Sequence, residues 1–325
     1  MTEQTLAVSG AATVRSRSRR VSLAWTGTLP FLVFFGIAFA VPVGYVIYNA
    51  FRVTTTFQPL GKDGMPKRNP VTEQFITVTK SAWSTANVHA SLHGAFHVAM
   101  INSIKLSVIS AVIACVFGLF LSYAIVASDN QTLKNLSASI SAVLANFGGV
   151  PLAFLFIATL DTNAGVLTGF LQNHLHFSLK DDLHFQLQAL SGLVLVYLYF
   201  MIPLMVLVMT PALEGLKPQW AEAAENLGAS RFQYWRLVAL PVLLPTLIGT
   251  LLLLFCSAFS AYATAYAIDQ SFALMPLMIN DLLNGNIVSN GGGVGSAIAF
   301  DMMVFVLPLT VIYSILQRRT SRWLA

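Results

Sequence analysis

Long apolar runs alternate with polar segments along most of the chain. The runs cover about residues 23–50, 98–127, 138–160, 189–209, 238–262 and 295–316. Each is at least as long as the roughly 20 residues that an α-helix needs to cross a bilayer. Because only helices and closed barrels satisfy their backbone hydrogen bonds in lipid, the pattern predicts an all-α, polytopic membrane protein with six transmembrane helices.

The polar segments predict how the chain is organised. Its parts are a tail at 1–22, a first span with an outer loop at 23–97, a core of five spans at 98–316 and a tail at 317–325. The first run is too long for the apolar core of a signal peptide and lacks a small-residue cleavage site, so we interpret it as a span. Residues 51–97 are long enough for a small folded cap outside the membrane.

Two glycine-containing stretches predict interruptions of regular helix. Gly148, Gly149 and Pro151 lie within the third run, where small or helix-breaking residues indicate a kink or a close helix contact. The sequence Asn-Gly-Gly-Gly at residues 290–293 predicts a flexible turn before the last span.

One polar, charged segment, residues 218–241, separates the fourth and fifth runs. Pro218 suits the first turn of a helix, because the N–H that it lacks would have no partner there, and two glutamates follow in the early turns. Gly228 suits the positive φ of the residue after a helix end. The pattern predicts a short helix from Pro218 to a turn at Gly228, with the fifth span beginning at Pro241. Between Gly228 and Pro241 lie aromatic and basic residues of the kind found where a span meets the membrane surface: Phe232, Tyr234, Trp235 and Arg236.

The spacing of this segment resembles the EAA loop of ATP-binding-cassette (ABC) importer permeases. That pattern is Glu-Ala-Ala, three residues, Gly, nine residues, an aliphatic residue, one residue and Leu-Pro. The matching residues are Glu222, Ala223, Ala224, Gly228, Val238, Leu240 and Pro241, with Val where Ile is usual. The resemblance covers about residues 98–316 and implies a type I importer permease fold. It assigns loop 210–237 to a cytosolic coupling helix and gives Glu222, Ala223, Ala224, Gly228, Leu240 and Pro241 to contact with an ATPase. An ordinary amphipathic loop helix is the alternative.

The resemblance implies a subunit of an ATP-driven importer in a bacterial inner membrane. Its expected partners are two ATPase subunits, a second permease that is homologous or identical, and an extracytoplasmic binding protein. The chain contains no Gly-x-x-x-x-Gly-Lys-Ser/Thr loop, so ATP and Mg are expected on the ATPase and no cofactor on this chain. It also lacks His-Glu-x-x-His and Gly-x-Ser-x-Gly, so we expect no catalytic residues and no enzyme activity.

A narrower resemblance concerns the transported solute. Residues 260–267, Ser-Ala-Tyr-Ala-Thr-Ala-Tyr-Ala, look like the corresponding segment of permeases for polyamines, iron(III), thiamine and phosphonates more than that of sugar permeases. This implies a small organic or mineral ion, with a sugar importer as the alternative. Two alternative hypotheses come from other functional classes. One is a secondary transporter that uses Lys105 and Asp301 as an ion relay, and the other is a receptor or scaffold without transport.

Composition and charge support membrane insertion and predict its direction. Charged residues make up 10% of the chain, against about 25% in soluble domains. Of the 18 Lys and Arg residues, 11 lie in the two tails, the 128–136 connection and loop 210–237, and six lie on the opposite side. The positive-inside rule then places both termini and loop 210–237 in the cytosol. The net charge of +5 forms no continuous basic stripe, so the expected environment is the lipid bilayer and no nucleic acid is expected.

Polar residues inside or beside the spans are the candidates for a substrate pathway. An ionised side chain at mid-membrane costs about 2.5–3.5 kcal/mol on insertion scales, so such residues are functional candidates by default. The predicted pathway residues are Lys105, Asn146, Asp161 and Asp301, with Asn102 and Asn280 as weaker candidates. Lys105 and Asp301 can pair with each other, line the pathway or extend to the interface.

Six histidines all fall on the predicted outer side. They are His89, His93, His97, His174, His176 and His184. The first three are spaced by four residues, so a helix would carry them along one face where neighbours could share a metal. Because no Cys or carboxylate accompanies the row at ligand spacing, we interpret it as a solvated face and predict no metal.

Overall fold

The computed structural model describes residues 24–57, 59, 78–128, 130–284 and 291–324. Its elements, in chain order, are α1 (Ala24–Ala50), β1 (Arg52–Phe57), β2 (Val78–Trp83), α2 (Ala86–Ser91), α3 (Ala95–Ala127), α4 (Gln131–Asn146), α5 (Val150–Leu160), α6 (Val166–Leu175), α7 (Leu190–Glu214), α8 (Pro218–Asn226), α9 (Arg231–Tyr234), a π-helical turn (Trp235–Ala239), α10 (Leu240–Ser260), α11 (Ala263–Ile268), α12 (Met275–Leu283) and α13 (Gly291–Leu324). The predicted helical membrane fold is therefore confirmed.

Five helices in the described ranges are long and apolar enough to cross a membrane. They are Gly27–Ala50, Ala95–Ala127, Leu190–Glu214, Arg231–Ser260 and Gly292–Leu316. The predicted third span is a pair of helices, α4 and α5, that meet at an angle of 95° and provide a sixth crossing if they count as one span. The interruption predicted from Gly148, Gly149 and Pro151 lies at this bend.

The chain divides into two compact units, Met1–Tyr45 and Val46–Ala325. In the first, most apolar side chains between residues 29 and 45 are exposed, and the rings of Phe31, Phe35 and Phe39 stack along one side of α1. A helix that is apolar around its circumference suits a lipid environment.

The core of the second unit is built around the packing of α3 on α7. The buried positions of α3 are mostly small, and they include Ser107, Ala111, Ala114, Gly118 and Ser122. A Cβ at Gly118 would lie only 2.5 Å from the Cβ of Met205 and 3.2 Å from the carbonyl oxygen of Ile202. Small residues therefore allow the two backbones to approach closely, as in other membrane helix pairs.

Within the segment predicted as a cap, residues 51–97, β1 and β2 form a β-hairpin that no pattern in the sequence predicted. β1 and β2 pair antiparallel, with Arg52 opposite Trp83. The ring of Trp83 meets that of Tyr48 edge-on at 5.3 Å, and the amide of Asn87 in α2 donates to the carbonyl of Arg52 at 3.0 Å. These contacts join the hairpin to the end of α1 and to α2.

The prediction of one helix carrying His89, His93 and His97 is wrong. The helix is interrupted between α2 and α3, where Gly94 has a φ of 63° that suits glycine. The rings of His89 and His93 still stack, with centroids 4.2 Å apart. No group of three or more His, Cys, Asp or Glu side chains among the residues that the structure describes could hold a metal ion.

Two further bounds differ near the last span. Residues 291–293, predicted as part of a flexible turn, form the first turn of α13, while Asn290 lies outside the described residues. Glycine weakens a helix by about 1 kcal/mol relative to alanine, but the buried side chains of Val294, Ala297 and Ile298 follow directly and pack in the core. At its other end α13 continues to Leu324, through most of the segment predicted as a tail.

The fifth span begins earlier than the predicted Pro241. α9, the π-helical turn and α10 form one continuous helix, Arg231–Ser260. Ser230 caps its start, since its hydroxyl accepts from the N–H of Gln233 and the side chain of Gln233 accepts from the N–H of Ser230. Pro241 is the second residue of α10. Because it has no N–H to donate to the preceding turn, the π-helical turn adjoins it, with Leu240 N–H bonded to Trp235.

Candidate functional site

The helix predicted around the Glu-Ala-Ala sequence is present with the predicted bounds. α8 begins at Pro218, and Gly228 follows its end with a φ of 79°. The N–H of Ala229 donates to the carbonyl of Ala224 at 2.9 Å, and that of Gly228 to the carbonyl of Glu225 at 2.8 Å. These are the two bonds of a Schellman motif, which satisfies carbonyls at the helix end and needs a left-handed residue at Gly228.

α8 has no buried side chain in the described structure. Glu222 and Ala223 are exposed, and Ala224 is partly buried. Leu227 is 87% exposed and Phe232, just beyond the turn, is 72% exposed. This exposed apolar pair beside a polar helix is the candidate contact surface of α8. Leu227 could not be predicted as a contact residue from the sequence, because its exposure depends on how the turn at Gly228 directs the chain.

Leu240 and Pro241, the other predicted coupling residues, lie on the continuous helix beyond α8. Both are exposed, and Leu240 lines an apolar cavity of about 310 Å³ together with Tyr123 and Trp235, whose rings meet edge-on. The ammonium of Lys134, near the start of α4, lies 3.6 Å from the carboxylate of Glu214, the last residue of α7. This ion pair ties α4 to the end of the helix that leads into α8.

The four predicted pathway residues lie in different surroundings. Lys105 is exposed on α3, and no ion pair joins it to Asp301 within the described chain. Asn102 and Asn280, the weaker candidates, are bonded to the carbonyl of Ala273 and to the amide of Asn284.

Asp161 holds the loop that follows α5. Its carboxylate accepts hydrogen bonds from the N–H groups of Asn163 at 2.9 Å and Ala164 at 3.0 Å, and from the amide of Gln188 at 3.1 Å. The N–H of Asn163 has the largest effect in lowering the pKa of Asp161, against an opposing effect of burial. The carboxylate stays ionised, and its bonds organise the loop.

Asp301 lies on α13 at an otherwise apolar cavity of about 300 Å³, lined also by Met100 and Phe259. The hydroxyl of Ser91, the last residue of α2, donates to its Oδ2 at 2.5 Å. This bond connects α2 to α13 across 210 positions of sequence.

Replacing Ser91 with alanine is expected to lower the melting temperature of the purified protein, because a partly buried carboxylate loses its donor. Hydrogen bonds to charged groups contribute about 1.5–3 kcal/mol. Asp301→Asn should lower it less, since the amide oxygen can still accept from Ser91. Thermal unfolding in detergent measures both. Equal stability of Ser91→Ala and the unmodified protein would contradict the structural role of this bond.

The remaining pathway residue, Asn146, lies where two helix interruptions meet. One separates α4 from α5 at residues 147–149, and the other separates α10 from α11 at residues 261–262. The N–H of Gly149, whose φ is 77°, donates to the hydroxyl of Thr264 at 2.9 Å. The hydroxyl of the buried Tyr197 donates to the carbonyl of Ala261 at 3.1 Å. Both interruptions are therefore held by long-range hydrogen bonds.

A cavity of about 370 Å³ opens between these interruptions, and we name it the break cavity. Its lining includes Asn146, Gly148, Phe200, Ser257, Tyr262 and Thr264. Irregular backbone at membrane depth is tolerated where it is buried in protein or lines a water-filled cavity. The sequence indicated the two segments separately, through Gly148-Gly149 and residues 260–267, but nothing in it joined them.

Comparison with known proteins provides an independent assignment of the fold. The family model described as binding-protein-dependent transport system inner membrane component matches residues 114–322, more than half of the chain. A search of the curated proteins gives no match.

The solved structures that are similar to the chain include two of alginate transporters and one of a methionine transporter. The first is a bacterial ABC transporter involved in the import of the acidic polysaccharide alginate, with a TM-score of 0.62 and 16% identity over 92% of this chain and 95% of that one. The second is a bacterial alginate ABC transporter in complex with an alginate pentasaccharide-bound periplasmic protein, with a TM-score of 0.61 and 17% identity over 91% and 94%. The third, the MetNI methionine ABC transporter in inward-facing form, has a TM-score of 0.43 and 13% identity over 70% and 96%. At these identities the first two establish likeness of fold.

Proposed function

The chain belongs to the binding-protein-dependent transport system inner membrane components, the permeases of ABC importers, and from this premise we propose that α8 is the helix through which a separate ATPase drives transport. One observation carries the proposal: α8 has no buried side chain and ends in the hydrogen-bonded turn at Gly228, beside the exposed Leu227. The family's role is transport, and ATP hydrolysis belongs in this proposal to another subunit.

The proposed assembly has two ATPase subunits, a second permease and an extracytoplasmic binding protein. One of the alginate transporter structures is a complex with a solute-loaded periplasmic protein, which supports such a partner for this fold. The exposed Leu227 and Phe232 would contact the ATPase, with Glu222 and Ala223 beside them on α8.

The proposed mechanism is transmission of a rigid-body motion. α8 is joined through the Gly228 turn and the Ser230 cap to the continuous helix Arg231–Ser260. That helix ends at the break cavity, where Thr264 bonds Gly149 of the bent α4–α5 pair. A displacement of α8 by the ATPase would therefore reach both interruptions and bias a two-state packing of the helices.

We propose a cytosolic location for α8 and for both termini, in line with the distribution of Lys and Arg. The proposal counts the α4–α5 pair as one span, so that the chain has six crossings and both termini lie on the same side. In a variant whose Cys115 and Cys256 are replaced with serine, Ala223→Cys should react with a membrane-impermeant maleimide only after permeabilisation, whereas Lys180→Cys in the outer loop should react in intact spheroplasts. Labelling of Ala223→Cys in intact spheroplasts would contradict the proposal that α8 is the coupling helix.

The proposed solute is a small organic or mineral ion, with a sugar as the alternative suggested by the saccharide importers of similar fold. Purification of the intact complex and mass spectrometry of its subunits would identify the ATPase and the second permease. Uptake into proteoliposomes that requires internal ATP, and that persists without an ion gradient, would separate this function from a gradient-driven secondary transporter.

A further inference from the structure

We propose that the break cavity receives a positively charged group of the transported solute, so that this importer carries an organic cation rather than an anion. The inference rests on the proposed function and narrows its solute class. It is drawn from the ends of the helices and the side chains that surround the cavity, residues 145–149 and 257–264 in particular.

The carboxyl ends of two long helices meet at the cavity. α4 ends at Asn146, and the continuous helix Arg231–Ser260 ends at Ser260, beside the lining residue Ala261. The carboxyl end of a helix carries a partial negative charge of about half an electron and favours cations. Interrupted membrane helices use such ends and unwound carbonyls to coordinate cations.

The opposing helix start, at α5, is a weak site for an anion. Gly149 is the N-cap of α5, and its N–H is already bonded to the hydroxyl of Thr264. Pro151, in the first turn, has no N–H to offer. Two of the donors with which a helix start holds an anion are therefore unavailable here. At the carboxyl ends of α4 and α10, the carbonyls of Leu144 and Ala258 each accept one N–H, from Phe147 and Ala261, but a carbonyl oxygen has a second lone pair that can still accept from a cationic group.

The side chains of the lining point to the same charge. No Lys or Arg lines the cavity among the residues that the structure describes. The rings of Phe200 and Tyr262 line it, and Tyr262 stacks on Tyr266 at 5.2 Å. Aromatic faces attract ammonium groups. The amide nitrogen of Asn146 donates to the carbonyl of Ala142 at 2.8 Å, which leaves the amide oxygen as an acceptor. A volume of about 370 Å³ suits a small solute.

The experiment changes the charge at Asn146 in opposite directions within the intact importer. Binding of spermidine, a neutral disaccharide and an acidic oligouronate is measured by calorimetry on the purified complex without its binding protein. We expect spermidine alone to bind. Asn146→Lys should weaken its binding at least tenfold, and Asn146→Asp, of nearly the same size, should preserve or tighten it. Asn135, exposed on the same helix, provides matched control substitutions to Lys and Asp that should change binding less than twofold.

Several outcomes would overturn the inference. They are failure of spermidine to bind, preferential binding of the oligouronate or the disaccharide, and equal effects of the Lys and Asp variants at Asn146. Melting temperature and ATPase activity of each variant complex show whether it is folded and assembled. If the unmodified complex lacks a co-purifying ATPase, the proposed function itself fails. If it hydrolyses ATP in response to the loaded binding protein yet binds no spermidine, only the cation assignment fails.

Discussion

Replacing Gly228 with aspartate is expected to abolish ATP-dependent uptake while the protein remains inserted in the membrane. Gly228 has a φ of 79° and ends α8 in a Schellman motif. A residue with a Cβ in this left-handed conformation generally costs about 1–2 kcal/mol, and Asp and Asn tolerate it better than other residues, so charge is the main effect of the aspartate. The aspartate also places negative charge at the carboxyl end of α8, where the helix dipole disfavours it. Nothing lies within 4 Å of a Cβ built at Gly228, so the helix bundle is not disturbed.

Companion substitutions at Gly228 separate backbone strain from charge. Asparagine tolerates the left-handed conformation and carries no charge, so Gly228→Asn should retain most of the uptake, and Gly228→Ala should lie between Asn and Asp. Uptake is measured in proteoliposomes that contain the whole importer, with membrane insertion checked by protease protection. Normal uptake by the Asp variant would count decisively against α8 as the coupling helix.

The bounds of α8 could be predicted from the sequence because they depend on local chemistry. Pro218 favours a helix start and Gly228 a left-handed end, and both effects act within one helical turn. Gly94 carried a similar signal inside the histidine row, since a glycine within a helical pattern lowers the expectation of an unbroken helix. The structure has its interruption at that residue.

The break cavity could not be predicted because its parts are distant in sequence. Gly148 and Gly149 indicate an interruption of the helix. The local sequence does not predict the angle of 95° between α4 and α5, nor that the N–H of Gly149 bonds Thr264, 115 positions away. The charge of Asp301 within a span makes it a candidate from the sequence, yet its hydrogen-bond partner, Ser91, comes from α2, 210 positions away. Residue type therefore predicts where helices are interrupted and which polar groups are energetically unfavourable within a span. Which of these positions contact each other depends on how the helices pack.

Replacing Gly118 with leucine is expected to prevent the second unit from folding to a stable form. A Cβ at Gly118 would lie 2.5 Å from the Cβ of Met205, which is fixed to its own backbone, so α3 and α7 would have to separate. Their contact is the most extensive between helices in the described chain, and overpacking of a tight interior costs about 1–3 kcal/mol even when neighbours adjust.

The matched control is Gly36→Leu, because Gly36 also lies inside a membrane helix but has nothing within 4 Å of its Cβ position. Gly118→Leu should fail to give a monodisperse peak in detergent chromatography, Gly118→Ala should lower the melting temperature, and Gly36→Leu should leave both measurements unchanged. Met205→Ala removes the clashing Cγ but keeps the Cβ, so it relieves the clash only in part, whereas Met205→Gly removes both atoms. Both substitutions are destabilising on their own because Met205 is buried, but a double-mutant cycle of Met205→Gly with Gly118→Ala should show a favourable coupling energy. Full stability of Gly118→Leu would mean that α3 and α7 do not approach each other closely in the folded permease.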